Sequence, residues 1–388
     1  MQSYAAAESK YIDTISGIET IKSFRLEGLF LRLIHSIYSF FMQKVVDSGL
    51  IGSRLNLWIT LVTALLLTGM ISWTAWLVIS GHLLVGQMMA ILTLTGTLVS
   101  SVINIALANI QLQEARIAFD RMVEFAFAEP EFIPGSEPEW KGDQEAGFDE
   151  LTVQDLCFRF PGKGLLLNKL SFAVRKGEMV TIFGEVGCGK STLLHILQRF
   201  YPSESGSVLL DGRDWKSIPV AEWRGMVRSV TQHVQLFNAT ILENICLEEK
   251  PDADNVVRFC REVGFHNFIM EFQQGYSTIV SENSVNLSGG QRQLVAIARA
   301  LYHQPRLLLL DEATAAMDRR TERFVIEMLQ RLKNRMAVVF VTHRPQLAKY
   351  SDRIYVIENK TISSAGPHHQ LIDSNRFYRE AFLEMTVS

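Results

Sequence analysis

Met179-Val180-Thr181-Ile182-Phe183-Gly184-Glu185-Val186-Gly187-Cys188-Gly189-Lys190-Ser191-Thr192 is the stretch that decides the fold of this 388-residue chain. Its first five residues are an apolar run of strand length, and the eight from Gly184 to Ser191 fit GxxxxGK[ST]. Helix-forming residues follow from Thr192 to Phe200. Strand, loop and helix in that order separate a phosphate-binding loop from a glycine-rich turn with an incidental lysine. The glycines let the backbone N–H groups of residues 184 to 189 curl around phosphate oxygens. Lys190 then neutralises the β and γ phosphates of a nucleotide, and the Ser191 hydroxyl can ligate Mg²⁺.

Working outward, the chain from about Phe148 alternates strand, loop and helix, which predicts an α/β domain with a largely parallel sheet. Buried strands are expected at Met179 to Phe183, Val227 to Val230, Leu307 to Leu310 and Ala337 to Val341. The third of these ends in Asp311-Glu312. Two acids at a buried strand end, downstream of a phosphate loop, supply an aspartate to hold Mg²⁺ through water and a glutamate to polarise an attacking water. Between the two motifs lies Leu287-Ser288-Gly289-Gly290-Gln291, leading into the helical run Leu294 to Leu301. Small side chains and open N–H groups at a helix N-terminus make an anion site, and Ser288 can also serve as a simple N-cap.

The amino-terminal third reads differently. From Leu55 to Gln113 there is no Asp, Glu, Lys or Arg, and His82 alone can titrate near neutral pH. That length holds two membrane spans of about 20 residues each. They are placed at Leu55 to Ser80 and Val85 to Leu107, joined by Gly81-His82-Leu83-Leu84. A buried hairpin in a soluble core is the competing reading, but charge-free helices of this length are rare there. Lys10, Lys22, Arg25, Arg32, Lys44 and Arg54 precede the spans, Arg116 and Arg121 follow them, and the turn carries none, so both ends are expected in the cytoplasm.

Ala5 to Leu50 reads as long helix, with Ile12, Ile15, Ile18, Ile21 and Phe24 at intervals of three. Gln111 to Phe127 continues the second span as a charged helix until Pro130, Pro134 and Pro138 break it. The expected organisation is therefore a membrane segment at 1–128, a linker at 129–147 and a nucleotide domain at 148–388. A formal charge of −3 gives no support to nucleic-acid binding. Cys157, Cys188, Cys246 and Cys260 are scattered without metal-ligand spacing, so four free thiols in a reducing compartment are expected. Met1 to Lys10 is polar and has no cleavable signal character.

The order phosphate loop, LSGGQ, Asp-Glu strand end resembles the ATP-binding cassette (ABC) ATPases, and with the spans the chain resembles the type I ABC exporters over essentially its whole length. The resemblance implies a fold of two spans, matching exporter helices five and six, followed by an α/β phosphate-loop cassette. Residues 1–128 would be part of an exporter membrane domain. Gly17-Ile18-Glu19-Thr20-Ile21-Lys22-Ser23-Phe24 resembles the segment around the second coupling helix.

By the same resemblance, Gln232 is the Q-loop glutamine that contacts Mg²⁺, His343 the switch histidine that meets the γ-phosphate, and Asp318 the D-loop acid. Catalysis would then rest on Glu312, His343, Gln232 and Lys190, and the metal on Ser191, Gln232 and Asp311. ATP would be held by Phe160 and by Gly184, Glu185, Val186, Gly187, Cys188, Gly189, Lys190, Ser191 and Thr192. Leu287, Ser288, Gly289, Gly290 and Gln291 would face ATP bound to a second cassette. The chain departs from the family at Phe160, where the adenine-stacking residue is commonly tyrosine, and at Ser284, Ala315 and Met317 near the dimer interface.

These likenesses imply an ATPase that drives export across the bacterial cytoplasmic membrane, with ATP and Mg²⁺ as cofactors and the cassette in the cytoplasm. The implied partners are a second cassette, as homodimer or related half, and membrane lipid, with no nucleic acid. Exporters of this type use six spans per half, so an upstream segment or a partner would supply the others. The wording GIETIKSF and GEVGCGKST is similar to bacterial exporters of peptides and bacteriocins. Lipid and multidrug exporters share the cassette, and a non-transporting fragment or a soluble-type ABC ATPase are alternatives of another class. No substrate role is assigned to Thr63, Thr68, Ser72, Thr93, Thr95, Ser100, Ser101, Asn104 or Asn109, because small polar residues more often serve helix packing.

Overall fold

The computed structural model describes residues 2–127, 148–280 and 287–387. It divides into two compact units, Met1–Glu131 and Phe132–Ser388. The expected linker at 129–147 and the departure at Ser284 lie outside the described residues.

The described residues of the first unit form four helices joined by short turns: Gln2–Ser16, Ile18–Ser23, Glu27–Ile79 and Val85–Ala126. The long helix expected from Ala5 to Leu50 is interrupted twice. Gly17 forms the first break. At the second, Arg25 adopts a left-handed φ of 54°, its N–H donates to the Lys22 carbonyl and that of Leu26 to the Ile21 carbonyl. This is the pattern of a Schellman cap, which glycine usually occupies and arginine does not advertise. The hairpin turn uses the same device with the usual residue: Gly81 has φ 77°, its N–H reaches Val78 O and that of His82 reaches Leu77 O.

Glu27–Ile79 and the Val85–Ile105 stretch are each long and apolar enough to cross a membrane, and their most apolar windows are only 6% and 0% buried. A helix hidden in a soluble core would be buried, so that reading does not account for them. Hydroxyls along both helices bond back to their own backbone, Thr68 to Ala64 O, Ser72 to Thr68 O, Thr93 to Met89 O and Ser100 to Gly96 O. Such bonds satisfy polar groups where no water is available.

The second unit is built on a six-stranded sheet in the order Thr361–Gly366, Arg353–Glu358, Met179–Gly184, Ala337–Thr342, Leu307–Asp311, Val227–Val230. All pairings are parallel except that of the Thr361–Gly366 edge strand. The four strands expected as buried apolar runs sit here side by side. Leu308, Leu310, Val338 and Phe340 enter one apolar cluster, whereas Leu307, Leu309, Val339 and Val341 enter another. The period of two thus feeds both faces of one sheet, which is why these runs read as continuously apolar.

A second, antiparallel sheet orders Leu167–Arg175, Glu150–Phe158, Ser205–Leu210 and Arg213–Asp214. Its irregular register at Glu150–Phe158, with Asp155 at φ 47°, blurs the alternation that would mark it in sequence. The Lys190–Leu197 helix buries Leu193, Leu194, Ile196 and Leu197 in the cluster these two sheets share.

Candidate functional site

The phosphate loop leaves the buried strand Met179–Gly184 and enters the Lys190–Leu197 helix at Gly189. Gly189 has φ 100°, and a Cβ there would lie 2.6 Å from Leu167 Cδ2, so both backbone conformation and packing demand glycine. Lys190 is buried, and its Nζ donates to the carbonyls of Gly184, 2.8 Å, and Glu185, 2.7 Å. Its charge is thereby held inside the loop. Burial pushes the Cys188 thiol upward, against the opposing pull of nearby Lys190.

Both acids stand at the end of one strand of the same sheet, separated from Met179–Gly184 by Ala337–Thr342. Asp311 ends Leu307–Asp311 and is hydrogen-bonded by Ser191; burial first, and the Glu312 charge after it, raise its carboxyl above the ordinary range. Glu312 follows in a left-handed conformation, φ 48°, uncommon for a non-glycine residue and typical of functional positions. Its carboxylate is bracketed: Gln232 Nε2 donates to Oε2 at 3.1 Å, and His343 Nδ1 lies 2.6 Å from Oε1. Val227–Val230 and Ala337–Thr342 flank the Leu307–Asp311 strand on its two sides, which is how residues 80 and 31 positions away reach one carboxylate.

Gln232, Glu312 and His343 line one open cleft together with Val186, Gly187, Gly189, Lys190, Ser191 and Thr192. Leu166 also lines it, the middle residue of the run Leu165-Leu166-Leu167, which marks an apolar segment without showing which of its side chains faces the cleft. Phe160 is not in this lining. It packs edge-on against Phe158 and Tyr201, with ring centroids at 5.0 and 5.6 Å.

Ser288 is an N-cap as well as a motif residue. Its Oγ accepts from Gln291 N–H at 3.2 Å, and Gln291 Oε1 accepts from Ser288 N–H at 2.9 Å, a complete capping box for the helix Gly289–Tyr302. A Cβ on Gly289 would meet Ala316 Cβ at 2.8 Å, and one on Gly290 would meet Ala316 O at 2.9 Å. The two glycines are therefore needed for the close approach of the Ala315-Ala316-Met317 turn. Leu287 is buried in the core beneath them.

Ser288, Gly290 and Gln291 line a different cavity from that of the phosphate loop, together with Asp318. Asp318 itself caps the helix Arg319–Leu332, accepting from Arg320 N–H at 2.8 Å and Thr321 N–H at 2.9 Å, and the bonds from Thr321 hold its carboxyl below the usual range. Gln293 joins the two motifs: its Oε1 accepts from Ala316 N–H at 3.1 Å and its Nε2 donates to Glu312 O at 3.4 Å. Arg344, next to His343, makes a two-pronged ion pair with Glu322 of the Arg319–Leu332 helix, 2.7 and 3.3 Å. Neither residue was singled out from sequence. Their marks are a buried amide at Gln293 and an ion-paired guanidinium at Arg344, and both burial and pairing are tertiary properties.

Residues 167–315 match the family described as ABC transporter, and residues 1–102 match the ABC transporter transmembrane region. The leukotoxin translocation ATP-binding protein LktB of Mannheimia haemolytica is 38% identical over 309 residues, 78% of this chain and 43% of LktB. The protein of the same name from Bibersteinia trehalosi matches with the same figures. The chain thus spans less than half the length of these relatives. A solved structure of a bacterial Atm1-family ABC exporter with ATP bound superposes with a TM-score of 0.88 at 27% identity, covering 99% of this chain and 67% of that one. The chain belongs to the ABC transporters, in the arrangement that places the transmembrane region and the nucleotide-binding cassette on one polypeptide.

Proposed function

We propose that this protein is the ATP-binding and permease component of an ABC exporter, hydrolysing ATP to move peptide cargo outward across the bacterial cytoplasmic membrane. Residues 1–128 act as the membrane part, with spans near 55–80 and 85–107, and residues 148–388 as the cytoplasmic cassette. The observation that carries the reading is Glu312, held between Gln232 and His343 at the cleft of the phosphate loop.

In this reading Glu312 is the general base for water, oriented by its two neighbours before nucleotide arrives. Lys190 exchanges the loop carbonyls for β and γ phosphate oxygens. His343 releases Glu312 to meet the γ-phosphate. Ser191, Asp311 and Gln232 are the residues that would hold Mg²⁺. The donors fit that ion: hard oxygens, few in number, one of them the carboxyl of buried Asp311. Mg²⁺ supplies neutralisation of the phosphate charge.

Separate cavities for the phosphate loop and for Ser288, Gly290 and Gln291 support a site completed by a second cassette, head to tail. Peptide cargo rests on the similarity to LktB, whose name describes leukotoxin translocation. The decisive measurement is phosphate release from the full chain in membrane vesicles. Glu312→Gln should lower it by about 10²-fold or more while nucleotide binding persists. Unchanged turnover would remove Glu312 from the base role.

A further inference from the structure

Phe160, the residue proposed to stack on adenine, belongs to a larger aromatic group. Its ring meets Phe158 at 5.0 Å and Tyr201 at 5.6 Å, both near perpendicular, while Phe158 and Tyr201 stack on one another at 5.8 Å and 29°. Two polar links fasten the same segments. Arg159 Nε pairs with Glu204 Oε2 at 2.7 Å, and Glu204 N–H donates to Cys157 O at 3.0 Å.

Tyr201 also meets the ring of His195, with centroids at 5.6 Å and planes at 84°. His195 lies in the helix Lys190–Leu197, which begins at the phosphate lysine. One side chain therefore touches both the base aromatic and the helix that carries the phosphate loop. A tyrosine at position 160 would have a hydroxyl with which to fix its orientation; a phenyl ring has only its edges and faces. Its plane is set by what packs on it.

We infer that Tyr201 is a positioning residue of the nucleotide site: it holds the plane of Phe160 for base stacking and, through His195, sets the spacing between the base and phosphate subsites. The inference rests on the adenine-stacking reading of Phe160. The ring contacts of Tyr201 are with Phe158, Phe160 and His195, and none of these is a phosphate-loop residue, so its effect is expected on binding of the base.

The test uses the full chain, a fluorescent ATP analogue, and inorganic tripolyphosphate as a competitor without a base. Tyr201→Ala should weaken ATP about five-fold and leave tripolyphosphate unchanged, and Tyr201→Phe should restore ATP affinity because the ring makes the contacts. Phe160→Ala should weaken ATP at least as much, and the double variant no further than Phe160→Ala alone. Should Tyr201→Ala not fold, Tyr201→Leu, which keeps bulk without the ring, carries the same expectation. Equal loss of both ligands in the Tyr201 variants, or no loss of ATP where Phe160→Ala loses it, overturns the positioning role. If Phe160→Ala itself binds ATP normally, the adenine reading falls, and the inference falls with it.

Discussion

Leu65 in the helical unit and Leu309 in the cassette are the same side chain placed by opposite rules: 76% of the first is exposed and none of the second. Every side chain of the strand Leu307–Asp311 is buried between two apolar faces, whereas the span helices turn Trp58, Leu65 and Ile105 outward and fold their hydroxyls back on themselves. The difference teaches that one chain has been fitted to two solvents. Water drives the cassette's leucines inward, while a hydrocarbon surrounding makes the same leucines tolerable on the outside and makes polar groups the problem.

The sharpest way to break that comparison is a pair of truncations. Leu309→Ala should cost the cassette about 2–5 kcal/mol in denaturant unfolding, because the tightly packed neighbours on its face of the sheet leave a cavity. Leu65→Ala should leave the cassette transition where it is. Equal effects would mean that the helix is part of a water-excluded core with the cassette. Leu65→Arg inverts the test, and should disfavour insertion of the first span by about 3 kcal/mol, read as altered protease protection in membranes.

Gly290→Ala probes the cassette at a point where sequence and packing coincide. The new Cβ would press on the Ala316 carbonyl, a backbone atom that cannot rotate away, so a loss of about 1–3 kcal/mol and slower ATP turnover are expected. A variant with wild-type melting and turnover would show that the turn at Ala315-Ala316-Met317 yields freely.

Two cassette acids should give pH effects of opposite sign. Burial raises Asp311, so its folded form resists ionisation: its contribution to stability is complete at pH values below its unfolded pKa and is lost as pH rises through the folded value. Thr321 lowers Asp318, whose contribution is present above its unfolded pKa and is lost as pH falls through the folded value. Without nucleotide, Asp311→Asn should remove a stabilisation on acidification, and Asp318→Asn should remove a destabilisation. Melting temperatures across the acid range distinguish them. The smallest effect concerns Cys188. With its thiol pushed up by burial, maleimide should label it slowly at neutral pH and faster at higher pH, with ATP protecting it. Labelling indifferent to ATP would place the thiol away from bound nucleotide.

Much of the cassette was legible because its signals are local. The phosphate loop is contiguous, and each buried parallel strand is a short apolar run, since both of its faces are covered. The antiparallel sheet was not read in advance, because a bulged, half-exposed strand such as Glu150–Phe158 has neither clean alternation nor a continuous run. The break at Phe24–Leu26 was likewise hidden, since arginine in place of glycine gives no warning of a left-handed residue. Gln293 and Arg344 escaped for a related reason: their work is done by contacts with chain distant in sequence.

By itself, then, the sequence determined the things that depend on neighbours along the chain: two charge-free spans, a phosphate loop between a strand and a helix, and a capped helix at Ser288. Tertiary structure alone decided that Gln232 and His343 close on Glu312 from two flanking strands, that Ala316 lies against Gly289 and Gly290, and that Tyr201 stands between Phe160 and His195 of the helix Lys190–Leu197. The physical reason is strand order. Hydrogen-bonded neighbours in a parallel sheet are joined by long crossovers, so which strand ends meet is fixed by packing across the whole sheet and by no local run of residues.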